Sequence, residues 1–327
     1  MTTTTTTSTS KMGTEMTTST IVGGNADSGT NADGNAGRGV ACAAVPPPEL
    51  SRSHTRRIWR ALVEFQMVAD GDRILVGFSG GKDSAFLLYA LAAVRRYSRV
   101  RFDLAAATVD QGFDSATDTD GDSERAAEAS ERMAAFVRRV GVPYLVKHTN
   151  IAQVAFGPNH KENPCAICSH LRRGALNTLA RENGFNKVAL AHHRDDVVET
   201  FLMSILYSGQ IQTFRPVTYL DRTGLTVVRP LVYFREREIA GVMRRIGYEP
   251  PPSSCPMQGS SYRAKVKDLI RSLSRENPMV YHNLFKAVHA DAIRELWPPV
   301  ATDQEMRERH RLLFAKVSRD NEGHERR

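Results

Sequence analysis

The chain has 327 residues, of which 41% are hydrophobic, so it can form a folded core and as many as two domains. It holds 44 Lys and Arg residues against 36 Asp and Glu residues, a formal net charge of +8. No apolar run reaches bilayer-spanning length, no secretory signal pattern is present, and four cysteines are few for a disulfide scaffold, which argues against membrane and secreted proteins. We therefore expect a cytoplasmic protein with no membrane partner; the Ser and Thr residues near the N-terminus make an organelle the alternative.

Residues 1–50 differ in composition from the rest of the chain. They open with a threonine run, continue with small and polar residues and end in a run of three prolines, which predicts a disordered tail. Because this segment holds two basic and four acidic residues, the rest of the chain carries 42 basic and 32 acidic residues. Such an excess of positive charge on a folded domain suits a polyanionic partner, and RNA is the first candidate.

The first folded elements are a helix and a strand that runs into a glycine-rich turn. Residues 51–70 show apolar positions at helical spacing, with arginines on the opposite side. Residues 74–88 then read Ile-Leu-Val-Gly-Phe-Ser-Gly-Gly-Lys-Asp-Ser-Ala-Phe-Leu-Leu. This pattern predicts a phosphate-binding turn, because glycines let backbone N–H groups point inward and the following helix adds the positive end of its dipole. An ordinary strand-turn-helix with glycines at the bend is the alternative.

The side chains of this turn suit a nucleotide and a metal ion. The turn comprises Ser79, Gly80, Gly81, Lys82, Asp83 and Ser84. The lysine offers a positive charge to phosphates, the two serines offer hydroxyls, and the aspartate could hold Mg²⁺. The spacing differs from the common G-x-x-x-x-G-K-S/T loop. It resembles the S-G-G-x-D-S PP-loop of the ATP pyrophosphatases, which implies cleavage of ATP between its α and β phosphates and an adenylated intermediate.

Strands and helices alternate through the following part of the chain. Apolar segments at 102–109, 143–148 and 187–191 predict three further buried strands with helices between them. This alternation predicts an α/β fold with a doubly wound parallel sheet, whose ligands bind at the carboxyl ends of the strands. The polar stretches that begin at Ser79, Asp110 and His192 are therefore expected to meet at one edge of the sheet.

The third of these polar stretches, His-His-Arg-Asp-Asp at 192–196, adds several charged side chains to that edge. Either aspartate could complete a magnesium site, and Arg194 could neutralise pyrophosphate. The aspartates would also stabilise the first turn of a helix, a structural role that does not exclude the first. A zinc site from His192, His193 and Glu199 is disfavoured, because adjacent residues at a strand end point to opposite sides.

Three cysteines could act together in this protein. Cys165 and Cys168 form a C-x-x-C pair at a predicted helix start, and Cys255 lies in a proline-rich loop. A C-x-x-C pair alone is compatible with a redox pair, half of a zinc site, iron-sulfur ligands or coincidence. A closed zinc site takes four ligands, whereas three thiolates on a four-iron cluster leave one iron open for an external sulfide. The alternative is that Cys255 is an incidental loop residue.

The C-terminal part is predicted to be helical, with apolar spacing at 235–246 and 263–273 and a charge-dense segment beyond residue 299. We thus predict four regions along the chain. They are a disordered tail at 1–50, an ATP-binding α/β domain with the C-x-x-C pair at 51–235, a helical part with the third cysteine at 236–300 and a charged tail at 301–327.

Four stretches together resemble one family, the tRNA 2-thiocytidine synthetases or TtcA family. They are Phe78–Ser84, Asn-Pro-Cys-Ala-Ile-Cys-Ser-His-Leu-Arg-Arg-Gly at 163–174, Ala-His-His-Arg-Asp-Asp at 191–196 and Val-Arg-Pro-Leu-Val-Tyr-Phe-Arg-Glu at 228–236. The resemblance covers about residues 55–290.

The resemblance implies an ATP-dependent tRNA-cytidine 2-sulfurtransferase. Such an enzyme adenylates the C2 oxygen of cytidine 32 in the anticodon loop, releases pyrophosphate and then AMP, and replaces the oxygen with sulfur. It further implies ATP and Mg²⁺ at the PP-loop and a 4Fe-4S cluster on Cys165, Cys168 and Cys255. The expected partners are tRNA and a cysteine desulfurase that donates the sulfur, and a homodimer is one candidate assembly.

Within that family pattern we expect Lys82, Asp83 and Asp196 to act in catalysis. The residues expected to bind the cofactor are Ser79, Gly80, Gly81, Lys82, Asp83, Ser84, Asp110, His192 and Arg194. Two features depart from the family: Ser253 and Ser254 stand where many relatives have a further cysteine, and an acidic insert lies at 114–123.

The competing interpretations are a 2-thiouridine synthetase, a lysidine synthetase and a non-catalytic iron-sulfur RNA-binding protein. Thiouridine enzymes of the archaeal and eukaryotic type carry further metal-binding pairs near both ends, which are missing here, and lysidine enzymes do not need three cysteines. The intact Lys82, Asp83 and Asp196 argue against a protein without turnover.

Overall fold

The computed structural model describes residues 20–22, 48–113, 120–157, 164–252, 255–257, 262–289 and 302–314. Most of the predicted N-terminal tail, residues 114–119 of the acidic insert and the end of the predicted C-terminal tail lie outside these ranges. Among the helices that are described, none has the length and apolar character needed to cross a membrane.

A seven-stranded, mostly parallel sheet organises the first part of the chain. Its strands are β1 (Thr20–Val22), β2 (Asp72–Gly77), β3 (Phe102–Asp110), β4 (Tyr144–His148), β5 (Lys187–Ala189), β6 (Val217–Leu220) and β7 (Leu225–Val228). Their spatial order is β1-β4-β3-β2-β5-β7-β6. The five central strands run parallel, whereas β1 and β6 pair antiparallel at the two edges. The predicted parallel sheet is confirmed; both edge strands and the central strand β7 were missed, and β1 lies inside the segment predicted to be a disordered tail.

Helices account for most of the remaining described residues. They are α1 (Arg52–Glu64), α2 (Lys82–Arg95), α3 (Asp120–Val140), α4 (Ile151–Ala155), α5 (Pro164–Glu182), α6 (Arg194–Ser208), α7 (Glu236–Arg245), α8 (Tyr262–Glu276), α9 (Val280–Ala287) and α10 (Asp303–Phe314). The helix expected at 51–70 ends six residues early, because Gln66 has a positive φ of 50° that a right-handed helix does not accommodate.

Helices cover both faces of the parallel strands, as a doubly wound fold requires. α2 packs against β2 and β3, whereas α5 packs against β3, β4 and β5. Leu75 of β2 clusters with Leu176 and Leu179 of α5, and its neighbours Ile74 and Val76 point to the other face. All three β2 residues are fully buried, which explains why this strand is apolar at consecutive positions.

The helical C-terminal part is joined to the α/β core rather than separate from it. α7 packs against α2 and buries Ile239 and Met243, and α8 packs against α6 and buries Val266 and Ile270. The chain comprises one compact unit that ends at Phe285 and a second that begins at Lys286. The region boundaries predicted from the sequence, at 235 and at 300, stay predictions.

The strand order places one switch point at the centre of the sheet. From β2 the chain moves outward through β3 to β4, and it then returns to β5 on the other side of β2. Ligands of doubly wound sheets bind at such a point, beyond the carboxyl ends of the strands. The segments that follow β2 and β5, which are the PP-loop and residues 190–193, both emerge there.

Candidate active site

The PP-loop is held in shape by its own hydrogen bonds. Ser84 Oγ accepts a hydrogen bond from the Ser79 N–H at 3.2 Å and donates one to the Gly81 carbonyl at 2.9 Å. Gly80 has a φ of +76°, and a Cβ added there would lie 2.8 Å from Met133 Sδ. Glycine is therefore required at this position by both backbone conformation and space.

Lys82 lies between two carboxylates. Its Nζ is 3.0 Å from Asp83 Oδ2 and 3.0 Å from Glu236 Oε1. Burial favours the neutral amine, but the two carboxylates outweigh burial and raise the pKa of Lys82. Because Lys82 opens α2, the fixed ammonium and the helix N-terminus together offer a positive site to phosphates.

Glu236 connects Lys82 to a second lysine. Its other carboxylate oxygen accepts a hydrogen bond from Lys267 Nζ at 2.5 Å. Burial opposes ionisation of Glu236, yet the ion pairs with Lys267 and Lys82 prevail and lower its pKa to about 2. Glu236 is thus charged at neutral pH and keeps the PP-loop lysine in place.

A row of carboxylate, imidazole and carboxylate joins the PP-loop to α6. The buried His193 places Nε2 3.8 Å from Asp83 Oδ1 and Nδ1 3.3 Å from Asp196 Oδ2. Asp196 also accepts a hydrogen bond from the His193 N–H at 2.9 Å and one from Arg263 at 3.4 Å. The structure therefore brings Asp83 and Asp196, which come from separate motifs, to two sides of one histidine.

One oxygen of Asp83 is unsatisfied. Asp83 Oδ1 is buried and accepts no hydrogen bond from any residue in the described part of the chain. An unpaired buried acceptor costs about 1–3 kcal/mol, so it calls for an explanation such as an ion that completes it. Carboxylate oxygens are the ligands that Mg²⁺ prefers, and this donor therefore fits the expected ion.

The carboxyl end of β3 connects the sheet edge to the C-x-x-C helix. Asp110 ends the strand, and its Oδ2 lies 2.8 Å from His148 Nδ1 on β4. The next residue, Gln111, accepts a hydrogen bond from the Cys168 thiol at 2.7 Å. The start of α5 is consequently anchored at the sheet edge from which the PP-loop emerges.

The other two cysteines predicted to act with Cys168 affect its thiol electrostatically. Cys165 and Cys168 are the second and fifth residues of α5, and Cys255 lies between α7 and α8. Burial raises the pKa of Cys168, Arg172 lowers it, and the nearby Cys255 and Cys165 thiols raise it further. This effect places Cys165 and Cys255 in the same region as Cys168, but in the described part of the chain the three thiols are not arranged to hold a single metal ion.

His192 and Arg194, which are expected to bind the cofactor, both contact aromatic rings. The His192 ring packs against Phe214 at 4.8 Å, and burial is the main factor that lowers its pKa to about 4, so it is neutral at pH 7. The Arg194 guanidinium lies 4.1 Å from the Phe285 ring centroid, which holds it in a cation–π contact. The buried His192 Nδ1 and Arg194 Nε have no hydrogen-bond partner among the described residues, and the expectation that both residues bind the cofactor stays a prediction.

The zinc site considered from the sequence finds no support. Glu199 is paired with Arg263 at 3.2 Å, and His192 and His193 have different surroundings. Within the ranges that the structure describes, no three His, Cys, Asp or Glu side chains are placed to hold a single metal ion.

Two important contacts could not be read from the sequence. Glu236 and Gln111 both lie in or beside the quoted motifs, but their partners Lys82 and Cys168 are 154 and 57 residues away. A third contact, the hydrogen bond from the Tyr248 hydroxyl to a PP-loop carbonyl at 2.5 Å, had no signal in the sequence.

Comparison with known proteins agrees with the site. The model of the PP-loop domain family matches residues 52–249. The tRNA-cytidine(32) 2-sulfurtransferase of Geobacter metallireducens is 37% identical over 237 residues, covering 71% of this chain and 86% of that protein. This chain belongs to the tRNA-cytidine(32) 2-sulfurtransferase family. Its relative of the same name from Anaeromyxobacter sp. strain Fw109-5 is 36% identical over 275 residues, with 83% of this chain and 84% of the relative covered. The resemblance expected from the four motifs is confirmed.

A solved structure supports the fold of this family member. The U34-tRNA thiolase NcsA from Methanococcus maripaludis, determined with its 4Fe-4S cluster, superposes with a TM-score of 0.57 over 75% of this chain and 79% of that chain. The sequence identity is 20%, so the likeness concerns the fold. It confirms the predicted PP-loop α/β architecture.

Proposed function

We propose that this protein is an ATP-dependent sulfurtransferase that converts cytidine 32 of the tRNA anticodon loop to 2-thiocytidine. The observation that carries the proposal is the hydrogen bond from the Cys168 thiol to Gln111, which places the C-x-x-C helix at the sheet edge that bears the PP-loop. The names of the family members support the choice of substrate.

The first half of the proposed reaction activates the base. The C2 oxygen of cytidine attacks the α-phosphorus of ATP, and the bond from that phosphorus to the bridging oxygen of pyrophosphate breaks. Lys82 and the backbone N–H groups of the PP-loop would hold the departing phosphates at the start of α2. Asp83 Oδ1, which lacks a hydrogen-bond partner among the described residues, would hold Mg²⁺, which neutralises charge on pyrophosphate. Asp196, on the far side of His193, would hold that imidazole beside Asp83.

The second half replaces the activated oxygen. Cys165, Cys168 and Cys255 would hold a 4Fe-4S cluster, because soft thiolates suit iron-sulfur centres and Cys165 and Cys255 both influence the Cys168 thiol electrostatically. Such a cluster would supply sulfur chemistry to the site, with a cysteine desulfurase as the donor of the sulfur. As sulfur bonds to C2, the C2–O bond breaks and the oxygen leaves with AMP.

Nucleoside analysis of tRNA tests this proposal directly. In a strain that lacks the gene, we expect 2-thiocytidine to disappear while 2-thiouridine and lysidine remain. The wild-type gene and the exposed-site control Arg96→Ala should restore 2-thiocytidine, whereas Lys82→Ala and Cys168→Ala should not.

The two inactive variants should fail for different reasons. Anaerobically purified Lys82→Ala should keep its iron and lose tRNA-dependent AMP release, whereas Cys168→Ala should lose its iron. Loss of 2-thiouridine or lysidine instead of 2-thiocytidine would assign the chain to a different tRNA modification. Iron-free wild-type protein with full activity would disprove the cluster.

A further inference from the structure

A cleft of 410 Å³ lies beside the proposed site, between the start of α7 and the exposed side of α8. Its floor contains Ile270 and Tyr281, both buried. Its walls carry five basic side chains and three carboxylates. The basic residues are Arg235, Arg237, Lys267, Arg271 and Arg275.

The carboxylates of this cleft are already neutralised. Asp195 pairs with Arg235 at 3.2 Å and accepts the Glu236 N–H at 2.7 Å. Glu236 pairs with Lys82 and Lys267, and Glu199 pairs with Arg263. No carboxylate in the cleft therefore remains to neutralise the charge of the outer arginines, which are Arg237, Arg271 and Arg275.

Unlike the carboxylates, the outer arginines lack strong ion-pair partners among the described residues. Arg237 and Arg275 are exposed and have no ion-pair partner among the described residues. Within the ranges that the structure describes, Arg271 pairs only with Asp268, and both of those side chains are more than 60% exposed, so the pair is weak. The mouth of the cleft thus carries positive charge that is available to an anion.

The aromatic floor narrows the kind of ligand. The Arg235 guanidinium lies 3.4 Å from the centroid of the Tyr281 ring and covers that face. A nucleobase would find no open ring here on which to stack, whereas phosphate groups match the planar fork of arginine.

We infer that this cleft binds the phosphodiester backbone of the RNA substrate through Arg237, Arg271 and Arg275. The inference rests on the proposed function, and it adds the location at which the RNA backbone binds. Glu236 lines the cleft and also bonds to Lys82, so the cleft is one side chain away from the PP-loop. A backbone held there leaves a splayed-out base within reach of the site of activation.

Binding of unmodified tRNA, measured by fluorescence anisotropy without ATP at several KCl concentrations, tests this inference. For Arg237→Ala/Arg275→Ala we expect roughly tenfold weaker binding, and a slope of log Kd against log salt that is smaller by about 1 for each arginine removed. Arg275→Glu, which replaces a positive charge with a negative one, should weaken tRNA binding more than Arg275→Ala does. Binding of a fluorescent ATP analogue should not change in any of these variants.

The matched control is Arg96→Ala/Arg99→Ala, which removes two exposed arginines beyond the end of α2, at the amino edge of the sheet. We expect wild-type tRNA affinity and salt slope from it. If the protein thiolates tRNA but Arg237→Ala/Arg275→Ala binds tRNA as tightly as wild type, the inference about the cleft is overturned and the proposed function is not. Loss of nucleotide binding with unchanged tRNA binding would assign the cleft to nucleotide phosphates and overturn it too. A wild-type protein that neither binds nor thiolates tRNA would overturn the proposed function as well.

Discussion

The carboxylates near the two ends of β2 differ in how completely their oxygens are satisfied by hydrogen bonds and ion pairs. At the amino edge, Asp72 accepts hydrogen bonds from the Ala69 N–H at 2.6 Å and from Asn186 at 2.8 Å, and it pairs with Lys187 at 2.6 Å. At the carboxyl edge, Asp83 keeps a buried oxygen that no described residue satisfies. A complete set of partners marks the first carboxylate as structural, and an incomplete set marks the second as a place for a ligand.

Substitution of Asp83 should affect turnover far more than stability. Asp83→Asn keeps the shape but removes the charge needed for Mg²⁺, so we expect tRNA-dependent AMP formation to fall roughly 10²–10³-fold. The free energy of unfolding should stay within about 1 kcal/mol of wild type, because the lost carboxylate was only partly satisfied.

AMP release and urea unfolding measure the two quantities for Asp83→Asn. Glu131→Gln, at a side chain that is 70% exposed on α3, is the control and should change neither. Turnover within about threefold of wild type would show that the unpaired oxygen does not mark the catalytic site.

Substitution of Asp72 should have the reverse effect. Asp72→Asn leaves Lys187 buried without its counter-ion, so we expect a loss of about 3 kcal/mol in unfolding free energy and unchanged turnover per folded molecule. Burial opposes ionisation of Asp72, but hydrogen bonds from Lys187, Ala69 and Asn186 lower its pKa below the ordinary 3.8.

The sign of the pH dependence follows from that lowered pKa. The stabilisation by Asp72 is complete above pH 3.8 and is lost as the pH falls towards the folded-state pKa. Urea titrations should therefore show the gap between wild type and Asp72→Asn narrowing below that pH. Asp103→Asn, at an exposed side chain 3.8 Å from Arg73, should cost less than about 0.5 kcal/mol at every pH. An equal loss in both variants would contradict the structural role of Asp72.

Glu236 is paired with two lysines, as a structural carboxylate would be, but it lies beside the PP-loop. Substituting it therefore shows whether the pairing of a carboxylate or its location determines the effect on stability and turnover. Its pKa is lowered to about 2, so its stabilisation is present above pH 4.5 and is lost as the pH falls towards 2. For Glu236→Gln we expect a loss of about 1–2 kcal/mol at pH 7, after allowance for the 28% exposure of its side chain.

Because Lys82 loses a partner, Glu236→Gln should also raise the KM for ATP a few-fold. Urea unfolding at pH 7 and pH 3 and initial rates of AMP release measure both effects. Glu249→Gln removes a carboxylate that is 86% exposed and should be neutral. If Glu236→Gln left stability unchanged but abolished turnover, the ion pairing of carboxylates would not be what distinguishes the two edges of the sheet.

Much of the fold was predictable because its signals are local. The apolar run of β2, the glycine turn and the helix after it are contiguous, and Ser84 closes the loop with hydrogen bonds to residues only three to five positions away. The β6–β7 hairpin also had a signal, since two β-branched runs flank a turn at Gly224, which has a φ of +67°. The hairpin was nevertheless missed.

Other features depend on distant parts of the chain. The division at 285/286 follows from how α7 and α8 pack on the α/β core, and such packing has no counterpart in local composition. The expected roles of His192 and Arg194 came from their place in a charged stretch, but Phe214 and Phe285 determine where those side chains lie.

The sequence by itself determined the parallel sheet, the PP-loop and the family, because each depends on consecutive residues or on a periodicity of strands and helices. Only the tertiary structure decided that Glu236 holds Lys82, that His193 lies between Asp83 and Asp196, and that Gln111 bonds to the Cys168 thiol. The physical reason is that these interactions act over a few ångströms between groups far apart in sequence, so they exist only once the sheet and its helices have brought those groups together.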